Sequence, residues 1–155
     1  MTSTETLSRI ARILARLVAG EQPSARDLAG APLAHAWSIV AGADTYRIRA
    51  VIAMPPDIHE RWRVVMLLAI DPAAGWALVL AGDQVAWWVL GDPLPGDEAS
   101  DHEAGDIARR AADWARRNGA EGRRNSAEGS RHSGEGTHNG AGGRDGRPLH
   151  CGGPR

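Results

Sequence analysis

The chain has 155 residues, one cysteine, and 18 cationic against 19 anionic side chains, so its net charge is close to zero. This length allows one ordinary domain, and a single cysteine excludes a disulfide scaffold or a multi-cysteine metal site. The balanced charge argues against a strongly basic nucleic-acid binder. All the cations are arginines, which is typical of a GC-rich bacterial genome and carries no functional meaning.

Two helices are predicted at the start of the chain. Apolar side chains recur at the 3–4 spacing of one helical face over residues 4–19, and Thr2 with Glu5 forms a candidate capping box. Further on, Ser24 can cap a second, short helix whose third residue is Asp27.

The middle of the chain switches to the alternation that strands require. About five consecutive strands are predicted, at residues 37–40, 46–53, 62–70, 76–80 and 85–89. Their short connections indicate an antiparallel meander, because parallel pairs need long crossovers. The last strands are apolar on both faces, so each face needs a cover. The N-terminal helix can cover one face, and either the later helix or a second copy of the protein can cover the other.

That later helix is predicted over residues 98–117, with acids at its start, arginines at its end and Asn118-Gly119 as its cap. The residues after it include no aromatic or β-branched apolar side chain, and they cannot bury enough apolar surface to offset their ordering entropy. They are therefore predicted to be a disordered, Gly-rich tail.

The predicted fold class is α+β, with an N-terminal helix plus a short helix, an antiparallel meander of about five strands, a C-terminal helix and the disordered tail. A single α+β domain spans residues 1–96, the C-terminal helix residues 97–117, and the tail residues 118–155. No segment is apolar enough to span a membrane, and arginines interrupt the early apolar segment where a secretory signal would be continuous. We expect a cytoplasmic protein without membrane contact.

No catalytic, metal or cofactor signature is present. Cys151, His132, His138 and His150 lie in the predicted tail, which cannot hold a base, an oxyanion site or a fixed ligand geometry. Gly-rich stretches occur only there, so the phosphate-loop interpretation fails on context. We expect no cofactor, and an enzyme without a recognisable motif stays an alternative.

Tryptophan is the most unusual component, with six residues in a chain that has no phenylalanine. Trp buries a large area and anchors interfaces. Neighbouring Trp87 and Trp88 point to opposite faces of a strand, so one faces the core and the other a second layer, a groove or a partner. With Trp62 and Trp76 they are the candidate interaction residues. They favour a non-enzymatic protein-interaction domain that binds a protein partner or forms a homodimer through an apolar sheet face.

The alternative is a nucleic-acid-binding accessory protein. Arg47, Arg49 and Arg63 are expected to share the outer face of an early hairpin, and the tail adds further arginines. Arginines with aromatic neighbours on a sheet face can bind single strands.

Several short motifs carry a resemblance. They are Pro23-Ser24, Asp27-Leu28, Ala31-Pro32-Leu33, Trp37, Leu68-Ala69-Ile70-Asp71, Gly75-Trp76-Ala77 and Trp87-Trp88-Val89-Leu90-Gly91. Together they resemble a family of small bacterial proteins that form a domain of unknown function, over about residues 7–95. The chain departs from that family in the middle hairpin, which lacks a Gly-His-Pro, and after Ala77. The resemblance implies no activity and no catalytic residue.

Overall fold

A computed structural model describes residues 2–54, 57–96 and 101–129. Its elements in chain order are helices α1 (Thr4–Val18) and α2 (Ala25–Leu28), strands β1 (Leu33–Ala41), β2 (Tyr46–Met54), β3 (Asp57–Asp71), β4 (Trp76–Ala81) and β5 (Gln84–Leu90), and helix α3 (Asp101–Gly129). The predicted α+β class, with two N-terminal helices, five strands and a C-terminal helix, is confirmed.

The start of α1 differs from the predicted capping box. Ser3 is the N-cap, and its hydroxyl accepts a hydrogen bond from the backbone N–H of Thr6. The Ser3 N–H donates to a carboxylate oxygen of Asp83 at 2.8 Å, and the Thr6 hydroxyl donates to the Asp83 carbonyl. The capping box of Thr2 and Glu5 is therefore wrong, although the helix begins at residue 4 as predicted, because Ser3, which also contacts the β4–β5 turn, is the N-cap.

Helix α2 begins as predicted. The Ser24 side chain accepts from the Asp27 backbone N–H, and the Asp27 carboxylate accepts from the Ser24 N–H at 2.9 Å. Hydrogen bonds from the hydroxyl and backbone of Ser24 hold the pKa of Asp27 below its ordinary value. This reciprocal pair confirms the capping box at the second helix.

The five strands form a meander that closes into a barrel. Each strand pairs antiparallel with the next, as predicted. The first and last strands then pair in parallel at Leu33–Val89 and Ala34–Leu90, which closes the barrel. The Trp37 indole N–H donates to the carbonyl of Gly91 at 2.8 Å beside this junction. The closure was not predicted.

Two apolar clusters build the core, one on each face of the sheet. Alternate residues of β4 show the division, since Ala77 and Val79 belong to the cluster inside the barrel and Leu78 and Leu80 to the outer one. In the outer cluster, α1 contributes buried Leu7, Ile10 and Leu14, and α3 contributes Ala111 and Ala115. Both faces of the last strands are therefore covered by this chain itself.

Helix α3 connects the two clusters, because its Ile107 is buried in the barrel cluster while Ala111 and Ala115 pack beside α1. The predicted end at Asn118 is wrong. The Asn118 side-chain amide donates to the Trp114 carbonyl within the helix, and the helix continues to Gly129. The predicted tail thus overlaps α3, and its remainder, residues 130–155, lies outside the described part of the chain.

Removal of the Ile107 side chain tests this role of α3. Ile107→Ala is expected to lower the free energy of unfolding by about 2–5 kcal/mol, because the cavity opens in the closed barrel. Val18→Ala is the control, since Val18 is 72% exposed, and it should change stability by less than about 0.5 kcal/mol. Urea unfolding measures both. A loss for Ile107→Ala as small as that of the control would contradict the packing of α3 into the barrel.

Candidate interaction surface

Exposed side chains lie on the outer side of β1, β2 and the first half of β3, whereas α3 contacts β2 through Tyr46, which lies on the barrel side. Strand register places the side chains on this side. Arg49 pairs with Val64, and Val51 pairs with Trp62. Along the edge of β2 that pairs with β1, Arg47 pairs with Val40 on this same face of the sheet. We call the surface formed by Val40, Arg47, Arg49, Trp62 and Val64 the β1–β3 face.

Large apolar side chains are exposed on the β1–β3 face. Trp62, Val64 and Val40 are 51%, 57% and 50% exposed, and they are three of the five large apolar side chains that are exposed among the described residues. The Arg49 guanidinium lies over the Trp62 ring at 4.5 Å from its centroid. This cation–π contact holds an apolar ring and a charge side by side in solvent.

The charge of the β1–β3 face is positive. Within the described part of the chain, no carboxylate lies within ion-pair distance of Arg47 or Arg49, although arginines elsewhere form five such pairs. The face therefore presents apolar groups together with cations that no described carboxylate neutralises.

Arg63 does not share this face. It pairs with Ala50, which is buried towards the barrel, so its side chain lies on the opposite side from Arg49 and Trp62. The expected cluster of Arg47, Arg49 and Arg63 is therefore divided between the two sides of the sheet.

Of the four candidate tryptophans, only Trp62 is prominently exposed. Trp76 and Trp88 are buried, Trp76 in the outer cluster and Trp88 inside the barrel, so neither presents a surface in this conformation. Trp87 is half-buried on the outer side, with its ring edge-on to Trp76 at 5.5 Å. The prediction that Trp87 and Trp88 face opposite layers is confirmed, and the second layer is the chain's own helix layer.

A second surface feature is an open groove of about 650 Å³ between the end of α1, the first half of α3 and the β3–β4 turn. We call it the α1–α3 groove. Its lining residues are Leu17, Val18, Glu21, Gln22, Ala69, Ile70, Asp71, Pro72, Trp76, Ala104, Gly105, Ala108, Arg109, Ala112, Asp113 and Arg116. The small side chains on α3 leave this space unfilled. No sequence pattern indicated this groove, because it forms only where α3 meets the end of α1 and the β3–β4 turn.

Most polar groups of the groove already have partners. The Trp76 indole N–H donates to the Gln22 side-chain oxygen at 2.8 Å. Asp113 pairs with Arg116, Arg109 with Asp106, and Glu21 with Arg16. The Asp71 carboxylate accepts the backbone N–H of Ala74 at 2.9 Å, which makes it a turn residue as expected. No described cation lies within ion-pair distance of Asp71, so its charge is not neutralised within the described part of the chain.

A third polar cluster joins β2 to α3. The Tyr46 hydroxyl donates to Asp106 at 2.7 Å, and Arg110 lies both 2.9 Å from that carboxylate and over the tyrosine ring. The hydrogen bond from Tyr46 lowers the pKa of Asp106, with help from Arg110 and Arg109 and against partial burial. The same hydrogen bond and burial raise the pKa of Tyr46. With every member paired to its neighbours, this cluster fastens the helix to the barrel.

No three His, Cys, Asp or Glu side chains in residues 2–54, 57–96 and 101–129 lie close enough to hold a metal ion. Cys151, His132, His138 and His150 lie outside these ranges. In the same part of the chain, no helix combines the length and the apolar character needed to cross a membrane.

Comparison with known proteins adds no relative: no protein-family model matches the chain, and no similar curated protein or solved structure is found.

The link between Tyr46 and Asp106 can be tested by titration. Tyr46 is the single tyrosine, so the absorbance of tyrosinate reports it alone. Asp106→Asn is expected to lower its pKa toward the ordinary value of about 10, because the acceptor charge that favours the protonated phenol is lost. Asp113→Asn makes the same charge change on α3 and should leave the titration unchanged. An unaltered titration in Asp106→Asn would refute the assignment.

The Tyr46–Asp106 pair also predicts how the free energy of unfolding changes at acid pH. Because the native pKa of Asp106 is lowered, its stabilisation is present above about pH 4 and is lost as the pH falls through the native value. Asp106→Asn should therefore weaken the decrease in unfolding free energy below about pH 4, as measured by urea unfolding across that range.

Proposed function

We propose that this protein is a non-enzymatic interaction domain that binds protein, in the first instance a second copy of itself, through the β1–β3 face. The observation that supports this most directly is the concentration of exposed apolar side chains on one face beside two cations that no described carboxylate neutralises. Exposed apolar side chains that lie together and have a polar border mark interaction sites more often than scattered ones do. The apolar last strands and the pair of Trp87 and Trp88, on which the sequence-based hypothesis depended, are covered by the chain itself, and Trp62 is the candidate tryptophan that is exposed.

Protein is favoured over nucleic acid by the composition of this face. Val40 and Val64 offer apolar area but no ring on which a base can stack, and Arg49 already lies over the ring of Trp62. Residues 1–117 carry a net charge of −3, and Arg63 faces away. These features favour a protein partner that makes apolar contacts and a few ion pairs over a nucleic acid, which is bound mainly through its phosphates.

A second copy is the partner we argue for because the chain itself carries a complementary surface. The α1–α3 groove has an apolar floor and the Asp71 carboxylate, which matches the apolar and cationic character of the β1–β3 face. The expectations of a cytoplasmic bacterial protein and of the family resemblance stay predictions, and the proposal does not depend on them.

Sedimentation velocity of the full chain tests the proposal. The average mass should rise with concentration at low salt, and the combined change Trp62→Ser with Arg49→Glu should keep the protein monomeric. Loss of a central interfacial Trp weakens association by roughly thirtyfold or more. Arg12→Glu makes the same charge change at an exposed position of α1 and should assemble like the wild type.

Two results would overturn the proposal. One is a wild-type mass that stays monomeric from micromolar to millimolar concentration. The other is a monomer that binds a labelled oligothymidine single strand with steep salt dependence, with binding lost in the Trp62 and Arg49 variant. That second result would favour the nucleic-acid alternative.

A further inference from the structure

We propose that the α1–α3 groove is the receptor for the Trp62 indole and the Arg49 guanidinium of a second copy, so that copies associate head to tail. This inference rests on the proposed function and names the surface that the β1–β3 face meets. It adds a second site to the chain, one that sequence reasoning did not indicate.

The groove suits these two side chains in size and polarity. Sites of about 300–1,000 Å³ hold whole small molecules, so a groove of about 650 Å³ accommodates two adjacent side chains. Its apolar surface is formed by Leu17, Val18, Pro72 and the alanines of α3, which are not fully buried. The Trp62 ring would bury its exposed area against them.

Charge indicates where the Arg49 guanidinium would lie in the groove. Glu21, Asp113 and Arg109 at the rim are each paired with a neighbour, which leaves Asp71 as the lining carboxylate that no described cation neutralises. Arg49 likewise has no described carboxylate partner. Docking would bring these two opposite charges together, and it would require no existing ion pair to break.

The occupant must come from another molecule. Trp62 and Asp71 belong to the same strand, β3, and a strand rises about 3.3 Å per residue, so the strand can separate the two by up to about 30 Å within one chain. A continuous strand cannot bend back to close that distance. The donor side chains and the groove are therefore at opposite ends of each copy.

This geometry has a consequence for the size of the assembly. In a head-to-tail arrangement each pair of copies makes the contact once, which leaves one surface of each kind free at the ends, so assembly continues into a ring or an open chain. A contact of the β1–β3 face with itself would instead stop at two copies. The distribution of masses therefore separates the two arrangements.

Three groove variants test the inference on the full chain. Ala108→Trp fills the groove from α3 and should abolish growth, whereas Ala120→Trp, at an exposed position of α3 that does not line the groove, should not. Asp71→Asn keeps an acceptor for the turn and should weaken association about threefold to fivefold. If Ala108→Trp fails to fold by circular dichroism, the result for Asp71→Asn decides.

The decisive experiment mixes two variants that are monomeric alone, the groove variant Ala108→Trp and the face variant Trp62→Ser with Arg49→Glu. Each keeps the surface that the other has lost, so the mixture should form a one-to-one pair that does not grow. Groove variants that assemble like the wild type, or a wild type that stops at two copies, would overturn this inference and leave the proposed function standing. A monomeric wild type would overturn both.

Discussion

Strand β3 has fifteen residues and its neighbour β4 has six, and the molecule is organised around this mismatch. Residues of β3 up to Leu67 pair with β2, and residues from Met66 to Asp71 pair with β4, so β3 has a described strand on both sides only at Met66 and Leu67. The later half lies between the barrel interior and the helices. The earlier half carries exposed Trp62 and Val64 on one face and exposed Arg61 and Arg63 on the other. The exposed surface and the groove are thus at the two ends of one continuous strand.

The elements that the sequence predicted well are those that local chemistry determines. The reciprocal capping of Ser24 and Asp27 needs only residues three apart, and the alternation along β2 and β4 is visible without knowledge of any neighbour. The opposite orientation of Trp87 and Trp88 follows from the same period. Even here one local prediction was wrong, since Ser3, which also contacts Asp83, is the N-cap of α1 in place of Thr2.

The features that escaped prediction depend on which residues meet across the fold. Whether Arg63 shares a face with Arg49 is decided by strand register, and a slip of one residue would exchange the two sides. Closure of the barrel depends on two residue pairs between strands that are far apart in sequence. The groove exists because alanines of α3 meet the end of α1, which no pattern within either helix indicates. The sequence therefore did not predict which of the candidate residues lie on the same face.

The unpaired edge of β3 has a consequence for solubility. An exposed strand edge is a template for backbone pairing with another chain, and such pairing leads to aggregation. Arg61 and Arg63 flank Trp62 along this edge, and both are exposed. In antiparallel pairing of two such edges centred on Trp62, these arginines would be brought opposite each other, and like charges directly opposite are destabilising. Arg61 and Arg63, which do not belong to the β1–β3 face, therefore disfavour contact between two copies through the backbone of this edge. They do not oppose contact through the side chains of the β1–β3 face.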